Sequence, residues 1–200
     1  AVDGNGNVYV TDTGNHTIRK ITPAGVVTTL AGSPGWLPQS GHLDGPGAIA
    51  RFQAAKGVGV DGGGTGFVVD SYNTAMQVPN SDTIRRITAA GLVSTFAGDS
   101  LGSADGSGSA ARFNNAFGVA VDGNGVVYVA DTWNHTIRKA TPAGEVTTLA
   151  GLAVSEGGTD GIGSAARFNA PQGVAADGSG TVYVADTNNN RVVVHSLGAG

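Results

Sequence analysis

The chain has 200 residues, 34 of them glycine, no cysteine, and a formal net charge of −4. At 40% hydrophobic and 13% charged it can bury a core, which excludes a disordered segment, and its mild acidity excludes a nucleic-acid binder, which needs a basic stripe. Without cysteine there is no disulfide framework and no thiolate metal site, and no apolar run reaches the roughly 18 residues that cross a bilayer.

The chain opens on AVDG, residues 1–4, which reads as the interior of a repeat and predicts that these residues are a processed or excised part of something longer. Asp3 begins a glycine-rich turn, GNGN at 4–7, and VYVTD at 8–12 follows. This run is short, β-branched and bounded by turn residues, so it predicts a strand with Val8 and Val10 on one face and Tyr9 on the other. An Asn-containing turn leads to TIRKI, 17–21, with Ile18 and Ile21 expected near one surface. A TPAG turn, 22–25, leads to VVTTLAG, 26–32. Links this short predict antiparallel neighbours.

The same order then recurs. Asp61, Asp122 and Asp177 open the equivalent turns, and Asp70, Asp131 and Asp186 close the equivalent strands, as Asp12 does in the first copy. Residues 127–151 nearly restate residues 8–32. Four copies follow, at approximately 1–56, 57–117, 118–172 and 173–200. Four short antiparallel strands per copy, stacked copy on copy, is the pattern of a β-propeller, because one small twisted sheet cannot bury both faces alone. The expected fold is all-β, with about four blades forming an incomplete ring, an arc or a small propeller. The aspartates at the strand ends are expected to accept bonds from the backbone of the turn that follows.

Between copies lies a second recurring element, DGPGAIARF (44–52), DGSGSAARF (105–113) and DGIGSAARF (160–168). Its structural reading has Asp44, Asp105 and Asp160 capping a short turn that Arg51, Arg112 and Arg167 tie down. Phe52, Phe113 and Phe168 are then wedged between blades. A calcium loop would need several converging carboxylates, and each element brings one recurring Asp.

Departures from the repeat carry the candidate contacts. The second copy has a longer loop within SYNTAMQVPNSD, 71–82, and the segments just before the recurring element vary, as SPGWLPQSGHL (33–43), DSLGSA (99–104) and LAVSEGGT (152–159). Binding residues concentrate on such loops, which nominates Trp36, Tyr72, Met76 and Trp133. His16 and His135 share a repeat position that Asn189 is expected to take in the fourth copy, so turn residues explain them better than metal ligands. No metal and no cofactor are expected. Asn15-His-Thr and Asn134-His-Thr match the glycosylation acceptor pattern, which makes a glycan a candidate partner. Four equivalent carboxylates point to a structural task, since catalytic residues are unique.

The segment GVAVDGNGVVYVADTWNHTIRK, 118–139, closely resembles the NHL repeat, and the resemblance extends over all four copies. It implies propeller blades, usually six, in secreted, periplasmic or cell-surface proteins and some intracellular ones. Members of that family range from binding modules and sensor domains to an amidating lyase, so the resemblance implies little about activity. The reading adopted is a non-catalytic extracellular, periplasmic or cell-surface scaffold whose partners are a protein or further copies of itself, with no nucleic acid and no membrane span. The alternatives are a metal-dependent enzyme of amidating-lyase or lactonase type, or a ligand-binding sensor domain.

Overall fold

A computed structural model describes residues 1–34, 41–71 and 82–195. In chain order the strands are β1 (Val8–Asp12), β2 (Thr17–Ile21), β3 (Val27–Gly32), β4 (Gly45–Pro46), β5 (Ala55–Val60), β6 (Gly66–Asp70), β7 (Thr83–Ile87) and β8 (Leu92–Ala97). They continue with β9 (Gly106–Ser107), β10 (Val119–Val121), β11 (Val127–Asp131), β12 (Thr136–Ala140), β13 (Glu145–Gly151), β14 (Gly173–Ala176), β15 (Val182–Asp186) and β16 (Arg191–His195). The helices among the described residues are three-residue 3-10 turns.

The strands form four antiparallel sheets, ordered β1-β2-β3, β5-β6-β7-β8-β4, β10-β11-β12-β13-β9 and β14-β15-β16. These are blades I to IV of an all-β propeller arrangement. Blade I has in addition a single bridge from Val2 to Val8 at its inner edge. The repeat predicted four strands per blade. The recurring element between copies adds a fifth, two-residue strand to blades II and III, where β4 and β9 lie outside β8 and β13.

Alternation decides what each blade buries. Val127 and Val129 of β11 pack into a cluster with Phe67, Val69 and Ile84 of blade II. The opposite face, Tyr128, Ala130 and Ile137, packs on Val182 and Val184 of blade IV. Ile18 and Ala31 of blade I meet Val68, Ile87 and Val93 of blade II in the same manner. Phe52, Phe113 and Phe168 are buried in these joints, as the sequence predicted. Ile18 and Ile21, expected near one surface, lie on opposite faces, because Ile18 pairs across the ladder with Thr11 and Ile21 with Val8. An odd spacing inverts the side chain in a strand.

The inner strands approach one another backbone to backbone. A Cβ on Gly57 would stand 2.5 Å from the Phe117 carbonyl oxygen, and one on Gly118 would stand 2.3 Å from that of Gln172. Glycine at 57 and 118 is therefore needed for close approach, with nothing flexible on the other side to yield.

Each glycine-rich turn is organised by its aspartate. Asp122 Oδ1 accepts from the N–H groups of Asn124 and Val126 at 2.8 and 3.0 Å, and Tyr128 Oη donates to Asp122 Oδ2 at 3.1 Å. Asp3 repeats the set with Asn5, Asn7 and Tyr9. Burial and the facing carboxylate push Tyr9 and Tyr128 up to about 12.

Candidate functional site

The carboxylates that recur in every copy are the first place to look for chemistry, and they are bound into the blades. Asp131 is fully buried. Its Oδ1 accepts from Asn114 N at 2.8 Å, and its Oδ2 accepts from Asn134 Nδ2 and Arg138 Nη1, each at 2.8 Å. Asp70 accepts from Gln53 N and Ala54 N, and Asp186 from Asn169 N. The backbone donors belong to the segment before the blade, which corrects the expectation that the backbone of the following turn supplies them; that turn contributes the Asn134 side chain instead. The reason is topological: the inner strand runs antiparallel to the second, so its start lies beside the second strand's end.

Asp44, Asp105 and Asp160 likewise do more than cap a turn. Asp105 Oδ1 accepts from Arg138 Nη2 at 2.7 Å and from Thr148 Oγ1 at 3.0 Å, both in blade III. Asp44 takes the same place beside Arg85 and Thr95 of blade II, and Asp160 beside Arg191 of blade IV. Arg51, Arg112 and Arg167 do tie down their own turns, donating to local carbonyl oxygens. The repeated motif thus builds a charged brace in each of blades II, III and IV. A buried pair of this kind tolerates no loss of a single partner.

Unrepeated chemistry gathers on blade II and its joint with blade III. In blades III and IV, Asn134 and Asn189 donate to the buried carboxylate. In blade II that place belongs to His42, whose Nδ1 stands 3.0 Å from Asp70 Oδ2 while Nε2 lies 2.5 Å from Gln53 Oε1. Burial opposes charge on this ring, but the bonds to Asp70 and Gln53 outweigh it and raise the pKa of His42 above the usual value. Nearby, Lys56 Nζ donates to Ser71 Oγ at 3.2 Å and to Asn115 Oδ1, and lies 5.5 Å from the centre of the Phe117 ring. Ser71 Oγ donates to the buried Asp82 at 2.8 Å. Burial lowers the Lys56 pKa, and the charge of Asp82 works the other way. Ser71 is fully buried and its hydroxyl is engaged on both sides, so it is not presented as a nucleophile. Phe117 is partly exposed at the rim of this group.

Of the nominated contacts, Trp36, Tyr72 and Met76 lie outside the described residues. Trp133 is 50% exposed, with its backbone N–H bonded to the Asn114 carbonyl oxygen. His16 and His135 end 3-10 turns in the left-handed conformation, with φ of 56° and 57°. The fourth-copy residue in that conformation is Asn190, not Asn189 as the sequence suggested; Asn189 instead matches Asn134. His135 Nδ1 accepts from Ala170 N at 3.1 Å. Among the described residues no three His, Asp or Glu groups converge to hold a metal. No helix of the described residues is long and apolar enough to cross a membrane. Asn134 is 1% exposed, and its Nδ2 donates to the Gly102 carbonyl oxygen and to Asp131, which leaves no room there for a glycan. Asn15 is exposed, with Nδ2 donating to Asp12.

Lys56, Asp82 and His42 were not nominated by the sequence reading. A signal existed for Lys56: its repeat equivalents are Phe117 and Gln172, so charge appears there once. His42 and Asp82 had none, because loops of unequal length hide which residues replace the missing Asn and His.

The NHL repeat family pattern matches residues 1–21, 113–140 and 168–194. The chain is 26% identical over 206 residues to the chloroplastic protein SUPPRESSOR OF QUENCHING 1 of Arabidopsis thaliana, covering 98% of this chain and 19% of that protein. It is 36% identical over 100 residues to human NHL repeat-containing protein 2, covering 48% of this chain and 14% of that one. Among solved structures, an auxiliary nutrient binding protein from Bacteroides thetaiotaomicron superposes with a TM-score of 0.65 at 20% identity, over 96% of this chain and 46% of that one. A streptogramin B lyase superposes with a TM-score of 0.56 at 12% identity, over 100% of this chain and 54% of the other. The chain thus spans about a fifth of the plant relative and about half of the solved structures.

Proposed function

Because this chain is built of NHL repeats, we propose that it is a non-catalytic interaction module acting outside the cell or at its surface, and that its partner is a further copy of itself. One observation carries the reading. Val8 and Val10 of blade I are 36% and 39% exposed, whereas their equivalents in blade III, Val127 and Val129, are 0% and 1% exposed. On the opposite flank, Tyr183 and Val192 of blade IV are 42% and 70% exposed, against 0% and 1% for Tyr128 and Ile137. These two faces are the two halves of the joint that each inner pair of blades closes. Burying them against each other removes apolar surface from water, the main favourable term in association. The contact is heterologous, head to tail, and it closes into a ring or extends into a filament according to the blade angle.

Engagement of the recurring carboxylates in braces supports the non-catalytic part. Asn15, exposed in an Asn-x-Thr triplet, supports a setting in which glycans are added. Sedimentation of the purified chain tests the reading. Self-association that Val10→Asp and Tyr183→Asp each abolish supports it. A concentration-independent monomer, or stoichiometric bound metal with hydrolytic or lyase activity, overturns it.

A further inference from the structure

We propose that Lys56 is a covalent ligand site, at which the side-chain amine condenses with an aromatic aldehyde to an imine while the Phe117 ring supports the ligand. Lys56 and Phe117 stand just before Gly57 and Gly118, the glycines at which neighbouring inner strands approach backbone to backbone, and Gln172 takes the equivalent place in blade IV. Three successive blades therefore bring an amine, an aromatic ring and an amide to one end of their inner strands. The ring is 43% exposed, and Lys56 Nζ lies 5.5 Å from its centre. Lys56 is itself partly exposed. Its backbone is pinned to blade I, where Thr11 Oγ1 donates to the Lys56 carbonyl oxygen at 2.6 Å.

The partners of Nζ suit a neutral amine. Ser71 Oγ accepts from Nζ at 3.2 Å and commits its own hydrogen to Asp82 Oδ1 at 2.8 Å. Asp82 is held in turn by the Ala116 N–H, 3.2 Å from Oδ2. Asn115 Oδ1 is the second acceptor for Nζ. A left-handed backbone, φ 49°, sets Asn115 in place, and asparagine tolerates that conformation. Among the described residues Lys56 enters no ion pair, whereas Arg85, Arg138 and Arg191 each meet two carboxylates. A neutral amine has one N–H for each of the two acceptors and keeps its lone pair for a third direction. Burial lowers the Lys56 pKa against the opposing charge of Asp82, which favours this form. A desolvated lysine is an activated nucleophile toward carbonyl carbon.

The condensation balances without an oxidant or reductant. The ammonium gives one proton to water. The Nζ lone pair adds to the carbonyl carbon, the C–N bond forms, and the C=O pair passes to oxygen, which takes a proton from Nζ. Loss of that hydroxyl with the second Nζ proton releases water and leaves the C=N bond. Amine and aldehyde thus give imine and one water. Phe117 selects for a flat ring on the aldehyde, because aromatic pairs contribute beyond the area they bury.

The chain has three lysines, Lys20, Lys56 and Lys139, all partly exposed, so each molecule carries its own controls. The test incubates the intact chain with benzaldehyde and cyanoborohydride, which reduces the imine to a stable secondary amine, and locates adducts by peptide mass spectrometry. In the folded chain Lys56 should be labelled ahead of Lys20 and Lys139; in guanidinium chloride the three should be labelled alike. Relative to butanal, benzaldehyde should favour Lys56 over Lys139 by a further factor of about five, the worth of one aromatic pair. Phe117→Ala, a change at an exposed ring, should remove that factor. Asn115→Asp sets a carboxylate against Nζ, favours the ammonium, and should slow labelling of Lys56 alone. The proposal is overturned if Lys56 in the folded chain reacts no faster than Lys20 and Lys139, if adducts form only at the amino terminus, or if Phe117→Ala or Asn115→Asp leaves the labelling of Lys56 unchanged.

Discussion

Arg191 reaches Asp186 from the strand position that Thr136 occupies in blade III, two residues earlier than Arg138 reaches Asp131. Arg191 pairs across the ladder with Asp186, as Thr136 does with Asp131. Its Nε nonetheless stands 2.8 Å from Asp186 Oδ2 and its Nη1 2.9 Å from Asp160, so the brace of blade IV is intact. The guanidinium's position is held while its residue moves, which a long side chain with five donors permits.

The two arginines therefore differ in cost of removal. Arg138→Ala leaves Asp131 buried without its cation and should destabilise by about 3–5 kcal/mol. Arg191→Ala acts on a partly exposed guanidinium and should cost clearly less, about 1–2 kcal/mol after solvent screening. Urea unfolding of both variants checks the order. Equal losses would show that the brace is not the determinant.

Gly118→Ala should be among the costliest small substitutions, because the added methyl meets the Gln172 carbonyl oxygen of the neighbouring inner strand. Overpacking against backbone costs about 1–3 kcal/mol. Gly14→Ala, with open space around its Cβ position, is the control and should change the melting temperature little.

Stability should fall through His42 as pH rises above the ordinary histidine value. Its folded-state pKa is raised above the ordinary 6.5. The contribution from protonated His42 is complete below that value and is lost as pH rises through the folded pKa. His42→Asn, the residue type standing at this place in blades III and IV, should flatten the dependence between pH 6 and 8, roughly the window in which histidine titrates. An unchanged profile would remove His42 as its source.

Acid should act through the turns. Hydrogen bonds from the Asn7 side chain, and from backbone and Tyr9, hold Asp3 down at about 2; bonds from Ser179 and Thr181 hold Asp177 at about 2. Both carboxylates bind protons more weakly folded than unfolded, so their contribution is present above the ordinary 3.8 and is lost as pH falls toward 2. Asn7→Ala and Ser179→Ala should each move the acid midpoint upward in a circular-dichroism titration.

Period and alternation made the blades legible. Val8, Tyr9 and Val10 alternate as read, and Phe52, Phe113 and Phe168 stand in the joints. What spacing could not convey was which strand a given carboxylate would meet. Asp105 and Arg138 are 33 residues apart and Asp70 and Gln53 are 17, and both pairings follow from the antiparallel return of the chain rather than from local sequence. The His42–Asp70 and Lys56–Ser71–Asp82 groups were hidden for another reason. They exist where the second copy departs from the repeat, and an argument from likeness between copies is blind at the place where likeness ends.

Each bracing aspartate precedes the blade it braces: Asp44 comes before Arg85 and Thr95, Asp105 before Arg138 and Thr148, Asp160 before Arg191. On a ribosome, the acidic anchor of each of these units is made ahead of the strands that will lean on it. Each unit thus begins from an anchor already made, while one of its apolar faces is covered only when the next unit arrives. Assembly of this molecule consequently has a direction, from amino to carboxyl end.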